Sequence, residues 1–472
     1  MSLSEGITSL APRRAVAVEL SRVRVGPLFD ELTITFERQD DASYRLWASS
    51  SLGEVTGQPF HVPFTDEEVA LLLQQLADSG NHARRRLRRN GPEMVMDVGM
   101  RLFYALFERA IGSHGQQLLL QARQQGRSVR IRLLMASPEL AALPWELLYD
   151  EARADFVGLS MYSPLIRQWG KPPASSLGRI ELPLRLLVVT ADVYSQGESS
   201  QEIEALRQLQ AEFHEIFEVK EVRDVNRQAF LKALSDYSYH ILLFIGNGHP
   251  LSPNRDQYDS LPAGAQALAL MPEVGKSPKS QRTWELIHAK ELIEALRHKE
   301  TLRLVHLNGP HTDWLARELT EAVPATIGIR GAVTETAYQA FSQAFYRALL
   351  ACQTVERAVT LARQKMDHHR AGTREWSHVV FYMQSEEGAL LPDGASDACR
   401  PVPESTSLPI DAQKEEEWEV LELHLAIYKR NLEVLNERYA TYQNTIPDFL
   451  RRQQQDTKEK IDRLEEKIRG FL

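Results

Sequence analysis

Three short apolar runs, separated by amphipathic stretches, constrain the fold of this chain more than any other feature. They cover residues 184–190, 240–245 and 302–307, and each has the length of one strand. A strand that is apolar along its whole length must be covered on both faces, which is typical of parallel sheets. Helical periodicity lies between the runs, for example at residues 201–217. The alternation predicts an α/β fold with a mostly parallel sheet and helices on both faces.

The segments around these runs give more detailed predictions. Residues 250–283 are polar and predict a long connection, followed by a helix from Glu285 to Leu296. Residues 336–366 keep one helical period and predict a single long helix, and residues 378–383 predict the last strand. Trp145 lies in an apolar stretch that follows another predicted strand, and we expect it to pack between that N-terminal part and the sheet.

Changes in composition predict where the chain divides. A break rich in proline and serine follows residue 170, and residues 392–409 are rich in Pro, Ser, Asp and Glu, which is typical of a linker. Short alternating runs before residue 50 predict half-exposed strands. The predicted segments are a flexible N-terminus (1–14), an N-terminal α+β part (15–170), an α/β domain (171–390), a linker (391–412) and a C-terminal helical hairpin (413–472).

The C-terminal segment predicts association. It is rich in charged residues, and its apolar residues recur at alternating steps of three and four, as in a pair of packed helices. Each helix alone has a narrow apolar stripe, so we expect the pair to bind each other and a second copy of the chain. The predicted partner-binding residues are Leu421, Leu425, Tyr428, Leu432, Leu435, Tyr439, Ile461, Leu464 and Ile468.

Charge and cysteine content exclude several classes of protein. The chain has 55 basic and 64 acidic residues, a net charge of −9, so we do not expect nucleic acid as a partner. One basic patch nevertheless comprises Arg84, Arg85, Arg86, Arg88 and Arg89, and it predicts a solvated helix end or contact with an acidic protein. Two cysteines make no disulfide framework, and we find neither a membrane-length apolar run nor a secretory signal. We therefore expect a cytoplasmic location.

Four stretches of this sequence resemble the CHAT family of caspase-like peptidases. They are residues 143–150, residues 244–248, residues 304–310 and the long stretch from Val323 to Arg363. The resemblance extends over roughly residues 15–390. It implies a caspase-like α/β domain preceded by an N-terminal α+β subdomain.

The family resemblance also implies a catalytic pair that this chain lacks. Family members carry a histidine in a Gly-His-Gly turn after one strand and a cysteine in an Asn-Ala-Cys turn after its neighbour. Here the turns read Gly246-Asn247-Gly248 and Asn308-Gly309-Pro310. Asn247 cannot act as a general base, and Pro310 carries neither a nucleophile nor a backbone N–H. We therefore predict a pseudo-peptidase.

The loops that surround these turns contain the remaining candidates for a binding cleft. The predicted rim residues are Gly246, Gly248, His249, Asn308, Gly309, His311, Thr312 and Asp313. One alternative is an atypical hydrolase that uses His249 and Thr312. A metal site of His249, His311 and Asp313 is another, but its spacing matches no known ligand pattern, and we predict neither a metal nor a cofactor.

The functional prediction is an adaptor, regulator or assembly scaffold in a bacterial defence or signalling system. Its partner is expected to be an active protease, an NTPase sensor or another effector. The C-terminal segment resembles a short helical module appended to bacterial CHAT, TIR and NTPase proteins of such systems, through residues 428–432, Leu435, Tyr439, Tyr442, Pro447 and residues 461–464. The alternative to this role, besides the hydrolase, is a ligand sensor in which residues 250–283 cover the former cleft.

Overall fold

The computed structural model describes most of the chain between residues 29 and 391. The described ranges are 29–39, 43–65, 67–68, 71, 95–107, 109–151, 153, 155–170, 180–191, 199–246, 248–249, 267–270, 285–351, 353–369, 374–386 and 388–391, with isolated helical positions between 429 and 469. Within these ranges, no helix combines the length and the apolar character that are needed to cross a bilayer.

Strands and helices alternate along most of the described chain. The strands are β1 (Phe29–Arg38), β2 (Ser43–Ser50), β3 (Gly53–His61), β4 (Ser128–Met135), β5 (Tyr149–Asp150), β6 (Asp155–Phe156), β7 (Leu165–Trp169), β8 (Leu184–Ala191), β9 (Phe217–Val222), β10 (Ile241–Gly246), β11 (Gly248–His249), β12 (Ala267–Leu270), β13 (Glu285–His288), β14 (Leu304–Asn308), β15 (Ala325–Ile329) and β16 (Val379–Met383). The helices are α1 (95–107), α2 (Arg109–Gln124), α3 (Pro138–Ala142), α4 (Ser199–Glu212), α5 (Arg227–Asp236), α6 (Ala289–Arg297), α7 (Asp313–Leu319), α8 (Glu335–Leu350) and α9 (Val355–His369).

Eleven of these strands form one large sheet in the order β3-β2-β1-β4-β7-β16-β15-β14-β10-β8-β9. Strands β9, β8, β10, β14 and β15 are parallel to one another, and so are β1, β4, β7 and β16. The two parallel blocks meet at β15 and β16, which are antiparallel. The sheet therefore continues across residue 171, where the sequence predicts a division between two parts.

Helices cover both faces of the sheet. In β8, Leu184, Leu186 and Val188 face one core, while Leu187, Val189 and Ala191 face the other. Helices α4, α8 and α9 contribute buried side chains to the first core, and α5, α6 and α7 contribute to the second. This arrangement explains the uninterrupted apolar runs of the sequence, and it confirms the predicted α/β class.

Three predicted segments differ from the structure. The polar stretch 250–283 contains a strand, β12, which pairs antiparallel with β11 and β13 in a small separate sheet. The helix predicted from Glu285 begins only at Ala289, because the four residues before it form β13. The single helix predicted over 336–366 is two helices, since residues 351, 353 and 354 are not helical and α9 packs against α8. The first two differences depend on strand pairing between separate segments of the chain, which a local pattern does not reveal.

A close approach between β15 and α7 holds the two elements next to the end of β14. Gly328 lies in β15, and a Cβ atom there would stand 2.7 Å from Ala316 Cβ and 2.8 Å from the Thr312 carbonyl oxygen. Both distances are shorter than real contacts of a Cβ atom. The backbone of β15 can therefore approach α7 only because residue 328 is glycine.

We predict that Gly328→Ala destabilises the protein by about 1–3 kcal/mol, because the added methyl group overpacks the contact with α7. Chemical denaturation of the full chain measures this free energy of unfolding. Gly115→Ala in α2 is the matched control, since a Cβ there would make an ordinary contact, 3.4 Å from Leu32 Cδ2. Similar losses in the two variants would contradict the close approach.

Candidate functional site

The two turns that carry the family resemblance follow neighbouring strands of the sheet. Gly246 ends β10, Asn308 ends β14, and β10 pairs with β14 in parallel. Because parallel strands end at the same edge, the structure brings both turns together, as the sequence predicts. We refer to this edge, at the ends of β10, β14 and β15, as the carboxyl edge. Asn247 lies outside the described residues, and for Gly248 and His249 the structure describes only the backbone of β11.

Thr312 fixes the turn after β14 to the neighbouring strand. Its side chain is fully buried, and its hydroxyl group donates to the carbonyl oxygen of Gly309 at 2.8 Å. The hydroxyl oxygen of Thr312 also accepts a hydrogen bond from Ile329 N–H at 3.0 Å, and Thr312 N–H donates to the Ile329 carbonyl oxygen at 2.8 Å. Thr312 therefore does not lie on an open rim, where the sequence analysis placed it.

Asn308 is also buried, with 5% of its surface exposed, so it is not a rim residue either. Its side-chain amide donates to Glu202 Oε2 at 2.6 Å, and Ser342 donates to the other carboxyl oxygen. Burial raises the pKa of Glu202 to about 7, although the hydrogen bonds from Ser342 and Asn308 oppose the shift. A buried polar group therefore joins the end of β14 to α4 and α8 and titrates near neutral pH.

Other predicted rim residues lie closer to the surface. Pro310, His311 and Asp313 are half-buried, whereas Gly309 is buried. His311 has a left-handed backbone conformation, with φ of 57°. Burial lowers the pKa of His311, against the opposing effects of Asp313 and of a hydrogen bond to the backbone of Arg330.

A second buried cluster of charges lies beside this edge. Glu146 is 1% exposed and pairs with Arg167, whose Nε donates to Glu146 Oε1 at 2.8 Å. Arg363 Nη2 lies 3.7 Å from Glu146 Oε1, and Arg330 Nη1 lies 4.0 Å from Oε2. Burial alone would raise the pKa of Glu146, but the three guanidinium groups outweigh it and lower the pKa below its usual value. The ion pair between Glu146 and Arg167 is therefore one part of a larger network.

Trp145 holds the segment of Glu146 against the N-terminal strands. Its ring is fully buried, with its centroid 5.4 Å from that of Phe36 and 6.2 Å from that of Phe60. The indole N–H donates to the Leu140 carbonyl oxygen at 2.7 Å. The predicted packing of Trp145 between the N-terminal part and the sheet agrees with these contacts.

The remaining predicted sites are described in part. The basic patch of Arg84, Arg85, Arg86, Arg88 and Arg89 lies outside the described residues, as do Leu421, Leu425, Tyr428, Leu435, Tyr439 and Leu464. Leu432, Ile461 and Ile468 are helical, and Ile461 is buried, with 8% of its surface exposed. Lys429 Nζ lies 2.8 Å from Glu465 Oε1, so one ion pair joins the two halves of the predicted hairpin.

Sequence reasoning missed the buried polar residues that support the carboxyl edge. Glu202 and Ser342 come from helices α4 and α8, and nothing in their local pattern separates them from exposed positions. The sequence does contain an indication of two other buried residues. Arg167 interrupts an apolar strand, and Arg330 directly follows one. A charge inside or just after an apolar strand indicates a buried partner.

We predict that Glu146→Gln destabilises the protein by about 3–5 kcal/mol, because it leaves buried arginines without their shared carboxylate. Thermal and chemical unfolding of the full chain measure the loss. Glu318→Gln is the matched control, since Glu318 pairs at 2.9 Å with Arg317 on a partly exposed surface. There we expect a loss of about 0–1 kcal/mol. Equal losses would show that Glu146 is not the centre of the network.

The raised pKa of Glu202 predicts that the free energy of unfolding depends on pH. Its pKa in the folded state is about 7, above the ordinary value of 4.5, so the folded state binds the proton more tightly than the unfolded state. The contribution of Glu202 to stability is complete below about pH 4.5 and is lost as the pH rises towards about 7.

We predict that Glu202→Gln, which resembles the neutral acid, removes this loss and is more stable than the wild type by about 1–3 kcal/mol at about pH 8. Unfolding curves of both proteins across this pH range measure the difference. Glu204→Gln, at an exposed position on the same helix, serves as the control for removal of a charge that does not raise the pKa of Glu202. A constant difference between wild type and Glu202→Gln at every pH would contradict the raised pKa.

The solved structures that are similar to this chain share little sequence identity with it. No curated protein matches the chain. Two crystal structures of the Saccharomyces cerevisiae separase–securin complex are similar, with 11% and 10% sequence identity and TM-scores of 0.40 and 0.41. Each comparison covers 75% of this chain and 30% of the other chain.

The comparison with protein families gives a match that covers more than half of the chain. The CHAT domain matches residues 98–384. This range extends from α1 to the end of β16 and includes both turns of the carboxyl edge and the cluster around Glu146. The chain therefore belongs to the CHAT domain family.

Proposed function

We propose that this CHAT protein works by binding other proteins and not by cleaving them. The observation that carries the proposal is the turn after β14. Pro310 stands where the family chemistry needs a cysteine, and the nearest hydroxyl group, that of Thr312, is fully buried and bonded within the fold. A hydroxyl group in that state cannot reach a substrate carbonyl without breaking the contact between the turn and β15.

The same geometry disfavours the atypical hydrolase. A nucleophile and its base must lie within hydrogen-bonding reach of each other and of the substrate. Thr312 Oγ1 instead makes its bonds with the backbone at Gly309 and Ile329. This supports a binding role for the carboxyl edge.

We further propose that the protein is an adaptor or assembly scaffold in a bacterial defence or signalling system. The resemblance of its C-terminal helices to modules of such systems supports this role. The partner would be an active protease, an NTPase sensor or another effector. The C-terminal helices would join copies of the chain through apolar positions that stay half-buried, such as Leu432 and Ile468. Within one chain, the buried Ile461 and the ion pair of Lys429 with Glu465 support the packing of the two helical segments.

The direct test of the proposed function is peptide hydrolysis. We expect purified full-length protein to leave a mixed peptide library intact over a long incubation, as analysed by mass spectrometry. Thr312→Val, which keeps the size of the side chain, should give the same result. Cleavage that Thr312→Val or His249→Ala abolishes would overturn the proposal and favour the atypical hydrolase.

If the C-terminal helices join copies of the chain, a variant that disrupts these helices should have a smaller molecular mass in solution. Ile461→Lys should lower the oligomeric state measured by light scattering, because a charge at this buried position disrupts the packing of the hairpin through which the copies would associate. Asp462→Lys is the matched control at an adjacent, exposed position and should leave the mass unchanged. Affinity capture with the same two variants then tests the adaptor role. The proposal expects Ile461→Lys, and not Asp462→Lys, to lose a protease or NTPase partner.

A further inference from the structure

Arg330 lies buried at the carboxyl edge with two nitrogen atoms that bind nothing in the described part of the chain. Its side chain is 7% exposed, and Nη2 donates to the Leu143 carbonyl oxygen at 3.2 Å. Nε and Nη1 have no hydrogen-bond partner there. The nearest carboxylate oxygens, of Asp313 and Glu146, lie 3.9 and 4.0 Å away, beyond hydrogen-bonding distance. Burial has therefore removed water from this guanidinium group without a full replacement.

The charges around Arg330 do not balance. Arg167, Arg330 and Arg363 contribute three positive charges, while Glu146 and Asp313 contribute two negative ones. His378, which also faces this cluster, adds none, because burial lowers its pKa to about 3. One positive charge therefore remains without a counter-ion among the described groups.

Two further observations indicate that hydrogen-bond donors outnumber acceptors in the cluster around Arg330. Arg363 Nε is buried and has no hydrogen-bond partner among the described residues, like the two nitrogens of Arg330. Burial, and then the neighbouring Arg167, lower the pKa of Arg330 in spite of Glu146 and Asp313. The anionic groups of the protein thus only partly compensate the guanidinium groups. A ligand that accepts hydrogen bonds and carries a negative charge would complete the cluster.

We propose that Arg330 is the centre of a binding site for one carboxylate group. A carboxylate accepts hydrogen bonds and donates none, so it suits unbonded guanidinium N–H groups. Its single charge matches the single unbalanced charge, whereas a phosphate dianion would exceed it. The half-buried residues His311 and Asp313 lie next to Arg330. This inference does not depend on the proposed adaptor role.

The carboxylate has two chemical sources, a free small acid or an acidic side chain of a bound peptide. Both present the same group to Arg330. Formate is therefore the first probe, and a short capped peptide with one central aspartate, compared with its asparagine analogue, is the second. Binding of formate alone indicates a small-molecule site. A preference for the aspartate peptide over the asparagine peptide indicates a peptide site.

The experiment measures thermal unfolding of the full chain in sodium formate, with sodium chloride at the same ionic strength as the reference. A ligand that binds only the folded state raises Tm as its concentration increases. We expect formate to raise the Tm of the wild type and to leave that of Arg330→Gln at its chloride value. The matched control is Arg317→Gln, which changes an arginine of α7 that pairs with Glu318 outside the cluster, and it should keep the increase. Equal increases in the wild type and Arg330→Gln would overturn the proposal.

A second readout keeps the test decisive if Arg330→Gln does not fold. In the wild type, formate should shift the ¹H–¹⁵N resonance of Arg330 Nε and leave that of Arg317 Nε in place. A resonance of Arg330 that stays unchanged would overturn the carboxylate site. Peptide hydrolysis by a protein that binds formate through Arg330 would contradict the proposed adaptor function and leave this site standing.

Discussion

Electrostatic interactions of the Glu146 carboxylate connect the two parallel blocks of the sheet. Arg167 reaches it from β7, Arg330 from the end of β15, and Arg363 from α9. Each arginine also binds a backbone carbonyl oxygen nearby, and Arg363 does so at Val379, the first residue of β16. Glu146 thus connects elements that are far apart in sequence, and the arginines cannot all be buried without it.

A separate set of buried hydrogen bonds fixes the turn at the carboxyl edge. Thr312, Asn308 and Ser342 place their polar groups in bonds within the fold, so the turn after β14 is held on both sides. Rigid polar turns of this kind suit recognition, because little conformational freedom is lost when a partner binds. In the described part of the chain, Arg330 retains two unbonded nitrogens and Arg363 retains one, which separates these two arginines from Arg167.

The sequence predicted the parts of this structure that local patterns determine. The apolar runs at 184–190, 240–245 and 302–307 correspond to β8, β10 and β14 within two residues, because burial on both faces leaves a continuous apolar pattern. The continuous sheet across residue 171 and the strand β12 depend on pairing between distant segments, which local patterns do not record. The same holds for Glu202, whose partners Asn308 and Ser342 come from other elements.

The sequence predicted where the turns of the carboxyl edge lie along the chain, but not how deeply their residues are buried. The resemblance to the CHAT family identifies the turns at 246–248 and 308–310, which follow apolar strands, and the structure places the ends of both strands at one edge. Their burial was not predictable, since the helices that cover Asn308 and Thr312 are assembled by tertiary packing. Arg330 follows a strand in the same way, and the position of a charge directly after an apolar run is the signal by which it can be recognised.

The central position of β16 has a consequence for how the protein is made. Five strands of the large sheet lie on each side of it, although β16 is formed by residues 379–383, after all the others in the chain. While the chain emerges from the ribosome, the strands up to β7 and those from β8 to β15 can assemble as separate sheets, but each has an open inner edge. Open edges pair readily with other chains. The large sheet can therefore close only when β16 has been synthesised. Until residue 383 is available, the edges of β7 and β15 in the nascent protein are unpaired.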